Sequence, residues 1–196
     1  MLAAEAQLAG VDLGIPDSNY GIVLSRLDRL PEIYKLTLKV ASVIGRVFEF
    51  ELLARAHPLQ LEQATLIAQI QGVEGRDFVR LEAPQPQLSY MFKHNITQEV
   101  VYQTLLENQQ RELHQAVGEV LEELQPEAVE RPAYHYRHSG IQPKALFYLD
   151  KAAYKAQQEY ANEMALNYYD QALAIEERWE WLKGKIEVLH ILGRRE

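Results

Sequence analysis

Proline residues divide this 196-residue chain into short segments, and most of these segments carry apolar residues at helical spacing. Proline has no backbone N–H and clashes with the preceding turn, so a helix begins at it or ends before it. Pro16, Pro31, Pro58 and Pro126 therefore predict the boundaries of successive short helices. Because glycine is scarce, at ten residues, while Ala, Leu, Glu and Gln are abundant, we expect a mainly α fold.

The first half of the chain reads as a run of four helices. The first fifteen residues are small and apolar and define no element. Apolar residues from Ile22 to Leu30 predict the first helix, and those from Leu36 to Ile44 predict a second that Gly45 ends. A short helix around Phe48 to Leu53 and another over Leu59 to Ile70 follow.

The periodicity changes after Asp77. Phe78 to Leu81 precede the turn signal Pro84-Gln85-Pro86, and Leu88 to Lys93 alternate apolar with other residues, which predicts a β-hairpin. Helices followed by a two-stranded hairpin, or wing, within about eighty residues are typical of a winged helix.

Helical spacing returns over residues 95–124, with an expected break near Asn108 and a stop at Pro126. Aromatic and alanine-rich helices follow, and small and large residues recur there as in stacked helical repeats. We therefore predict a winged-helix-like domain at 1–125 and TPR-like helical hairpins at 126–196. The last helix, near Trp181 to Leu189, resembles the first half of a further hairpin, so we expect the repeat array to continue.

Composition bears on partners and location. The formal charge of −8 opposes a DNA phosphate backbone, so DNA is not the expected partner. No apolar stretch is long enough for a membrane span, and no signal peptide is recognisable. Without cysteine, a reducing compartment, by default the cytoplasm, is expected.

Motifs for catalysis are missing from the sequence. It has no G-x-x-x-x-G-K-[ST] phosphate loop, no H-E-x-x-H metal motif and no G-x-S-x-G nucleophile elbow. We expect no enzyme activity and no cofactor in this chain.

Three blocks of sequence occur in a distinctive order: Arg26-Leu-Asp-Arg-Leu-Pro31 with Ala41-Ser-Val-Ile-Gly-Arg46; Phe92-Lys93-His94 through Glu99-Val-Val-Tyr102; and Tyr136 with Gly140, Tyr148 and Tyr160-Ala-Asn162. They resemble the region after the ATPase core in bacterial STAND-class regulatory ATPases, relatives of the predicted ATPases fused to adenylate or guanylate cyclase and protein kinase domains.

The resemblance implies a function. In that family a P-loop ATPase domain precedes this region and binds ATP or ADP, the winged helix acts as a lid, and the repeats sense a ligand or partner. His94 matches a histidine that contacts the nucleotide's β-phosphate, although the usual aspartate after it is here Asn95. The alternative is that His94 caps the following helix or occupies a polar niche.

Other candidate residues have two interpretations each. His135 and His138, at i and i+3, could share a metal, but a surface or groove pair without metal is the expected reading. The side chains of Arg111, Glu112 and His114 are of types that are common in catalytic sites. They also fit the solvated face of an amphipathic helix.

The C-terminal third is rich in tyrosine. Tyr136, Tyr148 and Tyr169 are the candidates for a concave partner-binding surface, although such rings more often lie between neighbouring helices. The segment Leu61 to Gly72, which would be the recognition helix, has no Lys or Arg, while Arg76, Arg80 and Lys93 lie towards the wing.

The sequence thus predicts a non-catalytic regulatory and interaction fragment of a signalling ATPase. Its expected partners are the upstream ATPase domain and a signalling protein or small-molecule effector. The alternative is a stand-alone winged-helix transcription regulator with an effector-sensing helical domain.

Overall fold

The computed structural model describes residues 17–193, so the patternless first fifteen residues and the Pro16 signal lie outside it. The N-terminal part of the fold contains six helices and three strands, which are α1 (Asp17–Asp28), α2 (Glu32–Ile44), β1 (Val47–Glu49), α3 (Phe50–Ala56), α4 (Gln63–Glu74), β2 (Val79–Ala83), β3 (Ser89–Phe92), α5 (Asn95–Gln103) and α6 (Glu107–Leu124). The predicted helices and the hairpin are all present, and the fold is mainly α.

The three strands form one antiparallel sheet in the order β1-β3-β2. Together with α2, α3 and α4 they give the element order of a winged helix, with β2 and β3 as the wing. Strand β1 was not predicted, because the sequence had suggested only a short helix around Phe48. Three residues carry too little periodicity to reveal a strand, and β1 is defined by its pairing with β3, where Val47 faces Met91.

Strand β3 is the central strand of the sheet. Its four residues are all buried, and Phe92 is fully enclosed. The Phe92 ring lies 5.7 Å from that of Phe48 on β1. The alternating pattern that predicted this strand therefore does not mark one solvent-exposed face of the sheet. Other elements cover both faces of the sheet at β3.

The break between α5 and α6 lies at residues 104–106 rather than near Asn108. The Thr104 hydroxyl donates to the Val101 carbonyl at 2.6 Å and closes α5. The Gln109 side chain accepts the Leu106 N–H at 3.1 Å at the start of α6. These local polar contacts end one helix and begin the next without a proline.

The C-terminal part consists of two helical hairpins, built from α7 (Glu130–Ser139), α8 (Gln142–Gln158), α9 (Asn162–Leu173) and α10 (Trp179–Ile191). Gly140 adopts a left-handed conformation with φ +78° and joins α7 to α8 by a short turn. The predicted helix near Trp181 is α10.

The described residues bury their apolar side chains in two clusters. One extends from Leu27 to Leu121 and the other from Ala133 to Val188, and the segment between α6 and α7 separates them. The predicted domain boundary at Pro126 falls in that segment. No helix within residues 17–193 has the length and apolar character needed to cross a membrane.

The two parts also pack closely against each other. At Gly118 on α6, an added Cβ would lie 3.1 Å from the ring of Tyr136 on α7. The guanidinium of Arg131 on α7 donates to both carboxylate oxygens of Glu49 on β1, at 2.8 and 3.0 Å. The link between the winged helix and the helical hairpins is therefore a packed joint and not a free linker.

Candidate functional site

His94 lies at the surface, at the residue that precedes α5. Its backbone carbonyl accepts the Thr97 N–H at 3.0 Å, but its side chain makes no capping hydrogen bond to the helix. The imidazole is thus not used as a helix cap, which was one of the two structural alternatives for this residue. It is accessible to a group outside the described chain.

Two basic side chains, Arg26 and Lys93, accompany His94 around the carboxylate of Asp77. Arg76 lies beside Arg26, which donates to its carbonyl, and we call Arg26, Arg76, Lys93 and His94 the basic cluster. The Lys93 Nζ lies 2.6 Å from Asp77 Oδ1. This hydrogen bond and the positive charge of Lys93 hold the pKa of Asp77 below its ordinary value, and the charges of Arg26 and His94 act in the same direction. One carboxylate is therefore shared among several cations.

The two arginines of the basic cluster are held in place without a carboxylate. Arg26 donates to the Arg76 carbonyl at 2.7 Å and its guanidinium lies 4.8 Å from the Phe78 ring centre. Arg76 donates to the Gly72 carbonyl at 2.7 Å and lies 5.2 Å from the ring of Tyr34. Neither forms an ion pair with any carboxylate in the described part of the chain. Such oriented guanidiniums are suited to a phosphate or carboxylate from outside.

The predicted partner-binding tyrosines lie in the interior. Tyr136 is fully buried, and its ring is stacked on that of Tyr148 at 5.6 Å. Tyr169 is buried against Gly184 of α10, and its hydroxyl donates to Gln157 at 2.8 Å. Because these rings fill the spaces between successive helices, they do not form an exposed binding surface. Their position matches the alternative in which they pack between helices.

Other aromatic side chains are exposed on the helical hairpins. Phe147 and Tyr154 of α8 are 50% and 63% exposed, and Trp179 at the start of α10 is 69% exposed. Lys151 lies 4.4 Å above the Phe147 ring. Among surface residues, aromatic side chains are enriched in protein–protein interfaces. Phe147 and Trp179 were not among the residues predicted from the sequence.

His114 and His135 form a buried pair where α6 meets α7. They are 0% and 2% exposed, and their Nδ1 atoms lie 2.9 Å apart. The Tyr102 hydroxyl lies 3.0 Å from the other ring nitrogen of His114, and the His138 ring is stacked on His114 at 4.9 Å. We call Tyr102, His114, His135 and His138 the histidine network.

The buried pair of this network, His114 and His135, consists of neutral imidazoles. An Nδ1 to Nδ1 hydrogen bond needs one protonated and one unprotonated nitrogen, so a second proton there would place two N–H groups against each other. Burial, followed by the influence of His138, lowers the pKa of His114 to about 3. Burial, followed by the charges of His114, Arg131 and His138, lowers the pKa of His135 to about 2.

This arrangement corrects one expectation from the sequence, because His114 does not lie on a solvated face. His135 and His138 were expected as a surface or groove pair; they lie where α6 meets α7, with His135 buried and His138 half-buried. Between residues 17 and 193 no group of three or more His, Asp or Glu side chains is arranged to hold a metal ion. His114 could have been placed from the helical pattern, because it shares the buried face of α6 with Leu113, Val117 and Leu121.

The basic cluster was only partly visible in the sequence. Arg76 and Lys93 were recognised as cations near the wing, and His94 through its motif. Arg26 lies fifty residues before Arg76, and only the tertiary fold brings them together.

No family model matches the chain, and neither a curated protein nor a solved structure matches it. The resemblance to regulatory ATPases therefore depends on the three sequence blocks alone.

Proposed function

We propose that this chain is a non-catalytic regulatory and interaction unit, in which the winged helix closes on a nucleotide held by an upstream ATPase domain of the same protein. In the closed state the basic cluster contacts a phosphate of bound ADP. The helical hairpins receive a signalling protein or a small-molecule effector, and the whole protein works in the cytoplasm.

The observation that carries this proposal is the position of His94. Its imidazole is exposed, makes no capping hydrogen bond, and lies with Arg26 and Lys93 near the Asp77 carboxylate, with Arg76 beside Arg26. A diphosphate supplies the negative charge that Asp77 alone does not provide. Charge-assisted hydrogen bonds from oriented guanidinium and imidazole groups contribute about 1.5–3 kcal/mol each when they are formed.

The DNA-binding alternative has less support from the surface of α4. In a winged helix α4 occupies the position of the recognition helix, and its exposed residues are uncharged: Gln63, Ala64, Thr65, Ala68 and Gln71. Arginine and lysine make most phosphate contacts and the commonest contacts with bases. A face of Ala, Thr and Gln is better suited to packing against another protein surface than to entering a DNA groove.

The proposal is tested in the full-length protein that contains this chain. The first step is to establish its complete reading frame, in which we expect a phosphate loop upstream. Release of a fluorescent ADP analogue is then followed by stopped flow for the wild type and for His94→Ala. Because the imidazole stabilises only the closed state, its loss should accelerate ADP release roughly tenfold to 150-fold, the equivalent of one charge-assisted hydrogen bond of about 1.5–3 kcal/mol.

His190→Ala is the matched control, since His190 is also exposed but lies on α10. It should leave ADP release unchanged. If His94→Ala lowers the stability of the chain without changing ADP release, the histidine has a structural role and the proposal fails. Sequence-selective DNA binding by the chain at physiological salt would favour the transcription regulator instead.

A further inference from the structure

A cavity of about 610 Å³ opens between α2, the turn that follows α3, and α6. Apolar side chains form its floor, and these are Leu36, Ala56, Leu105, Leu113 and Val120. Sites for small organic ligands have volumes of roughly 300–1,000 Å³ and are mostly apolar, with a few polar groups that fix orientation. The cavity has the size and lining of such a site, and it is separate from the basic cluster.

Charged residues surround the mouth of the cavity, and two of its three cations already have partners. The Lys35 Nζ lies 2.8 Å from Glu32 Oε1, and Arg55 is paired with Glu123. Lys39, one turn after Lys35 on the same wall, forms no ion pair with a carboxylate of residues 17–193. Its side chain is also half-buried.

The opposite wall carries carboxylates in a different environment. Glu112 and Glu119 on α6 are exposed, and Glu119 also accepts a hydrogen bond from Gln115 at 2.8 Å. Both carboxylates face solvent, and Gln115 also stabilises the charge of Glu119. The Lys39 side chain is half-buried, and the nearby carboxylate of Glu32 is already paired with Lys35, so Lys39 gains from an added opposite charge.

We propose that this cavity binds a small apolar organic anion, such as a medium-chain carboxylate. Its hydrocarbon body lies on the floor between α2 and α6, and its anionic group pairs with Lys39. A neutral or cationic amphiphile of the same length gains the apolar contacts without the ion pair, so charge complementarity selects the anion.

Binding is measured by titration calorimetry with decanoate, and by displacement of 1-anilinonaphthalene-8-sulfonate, an apolar sulfonate of the same class. Both probes should saturate at one molecule per chain and compete with each other. Decyltrimethylammonium, which has the opposite charge on a chain of equal length, should compete at least tenfold more weakly.

Three variants locate the site. Lys39→Gln should weaken decanoate binding about fivefold to tenfold, as expected for one half-buried ion pair worth about 1 kcal/mol or somewhat more. Ala116→Trp should abolish binding because the indole fills the cavity that Ala116 lines. Glu112→Trp places an indole at the exposed mouth without adding a side chain to the core, and it provides the test if Ala116→Trp does not fold. Lys183→Gln, at an exposed lysine on α10, is the control and should bind like the wild type.

The proposal is overturned if decanoate does not bind at a single site, or if both tryptophan variants bind it as the wild type does. Equal competition by decyltrimethylammonium, or an unchanged affinity in Lys39→Gln, would show that Lys39 does not select an anion.

Discussion

Acidification from pH 8 to pH 5 should destabilise this protein, in large part through the histidine network. In the folded state the buried imidazoles of His114 and His135 share one hydrogen bond between their Nδ1 atoms and have no room for a second proton. The neighbouring groups also oppose protonation, because Arg131 and His138 lower the pKa of His135 and no carboxylate contributes to either shift. Protonation of the pair is therefore opposed by burial and by charge.

The expected loss follows from linkage between proton binding and folding. In the unfolded chain each imidazole takes up a proton near pH 6.5, whereas in the folded chain the pKa values are about 3 and about 2. Because the folded pKa is lowered, the stabilisation is complete above pH 6.5 and is lost as the pH falls towards the folded values. Each pH unit below 6.5 lowers the free energy of unfolding by about 1.4 kcal/mol per imidazole.

At pH 5 the loss is about 2 kcal/mol for each imidazole and about 4 kcal/mol for the pair. This is a large part of the stability of a typical domain, about 5–15 kcal/mol. His57 is also buried and its pKa is lowered by burial, so it contributes with the same sign. For this reason the network is tested by comparing variants rather than by the wild type alone.

The measurement is urea unfolding followed by far-UV circular dichroism at half-unit steps from pH 8 to pH 5. His135→Asn places an amide close to the Nδ1 position, so a hydrogen bond to His114 is retained while one titratable group is removed. The variant is less stable at pH 8, but its stability should fall by about 2 kcal/mol less than that of the wild type over this range. His190→Asn, outside the network, should fall in parallel with the wild type.

The reasoning is refuted if the curves of the wild type and His135→Asn remain parallel down to pH 5. That result would mean that the folded pair takes up protons as readily as the unfolded chain does.

Two further predictions concern packing and the joint between the parts of the fold. Gly184→Ala should destabilise the protein by about 1–3 kcal/mol, because the new Cβ would lie 2.5 Å from the buried Tyr169 ring. Gly21→Ala, in open space on α1, should instead stabilise it by up to about 1 kcal/mol. Both variants are measured by thermal unfolding. A double-mutant cycle with Arg131→Gln and Glu49→Gln, read by urea unfolding, should give a coupling energy of about 1–2 kcal/mol, because the pair is bidentate and half-buried.

Each of these predictions has an outcome that would contradict it. If Gly184→Ala raises the melting temperature as Gly21→Ala does, the Tyr169 ring moves aside without cost. Close packing is then not the reason for a glycine at position 184. The control for the cycle is the exposed pair Lys183 and Glu187, 3.9 Å apart, whose coupling should stay below about 0.5 kcal/mol. Equal coupling in the two pairs would mean that burial adds nothing at the joint.

Helix positions were largely predictable because prolines, glycines and apolar spacing act locally. Pro31 and Gly45 bound α2 as expected, and the wing follows its turn signal. Strand β1 was not predictable, since a segment of three residues becomes a strand only when β3 lies beside it. The shift of the α5–α6 break also depends on side chains of Thr104 and Gln109, whose capping roles are weak signals in sequence.

The candidate sites show the same division between local and tertiary information. His94 was found through a motif, and its exposure is a local consequence of its place before α5. Arg26 joins it only because α1 lies beside the segment between α4 and β2. The burial of His135 depends on α6 as a neighbour, so its own spacing to His138 suggested a surface or groove pair. Long-range pairing of polar side chains leaves no periodic trace in a single sequence.

The joint between α6 and α7 determines how a change in one part of the protein can reach the other. It combines the bond between His114 and His135, the contact of Gly118 with Tyr136, and the ion pair of Arg131 with Glu49. These contacts are buried or half-buried, and a rotation of α7 against α6 would break them together. The winged helix and the first helical hairpin should therefore move as one body at neutral pH. Under the function proposed above, a partner that binds the hairpins would act on the basic cluster by moving the whole winged helix, which is the kind of motion that the proposed lid requires.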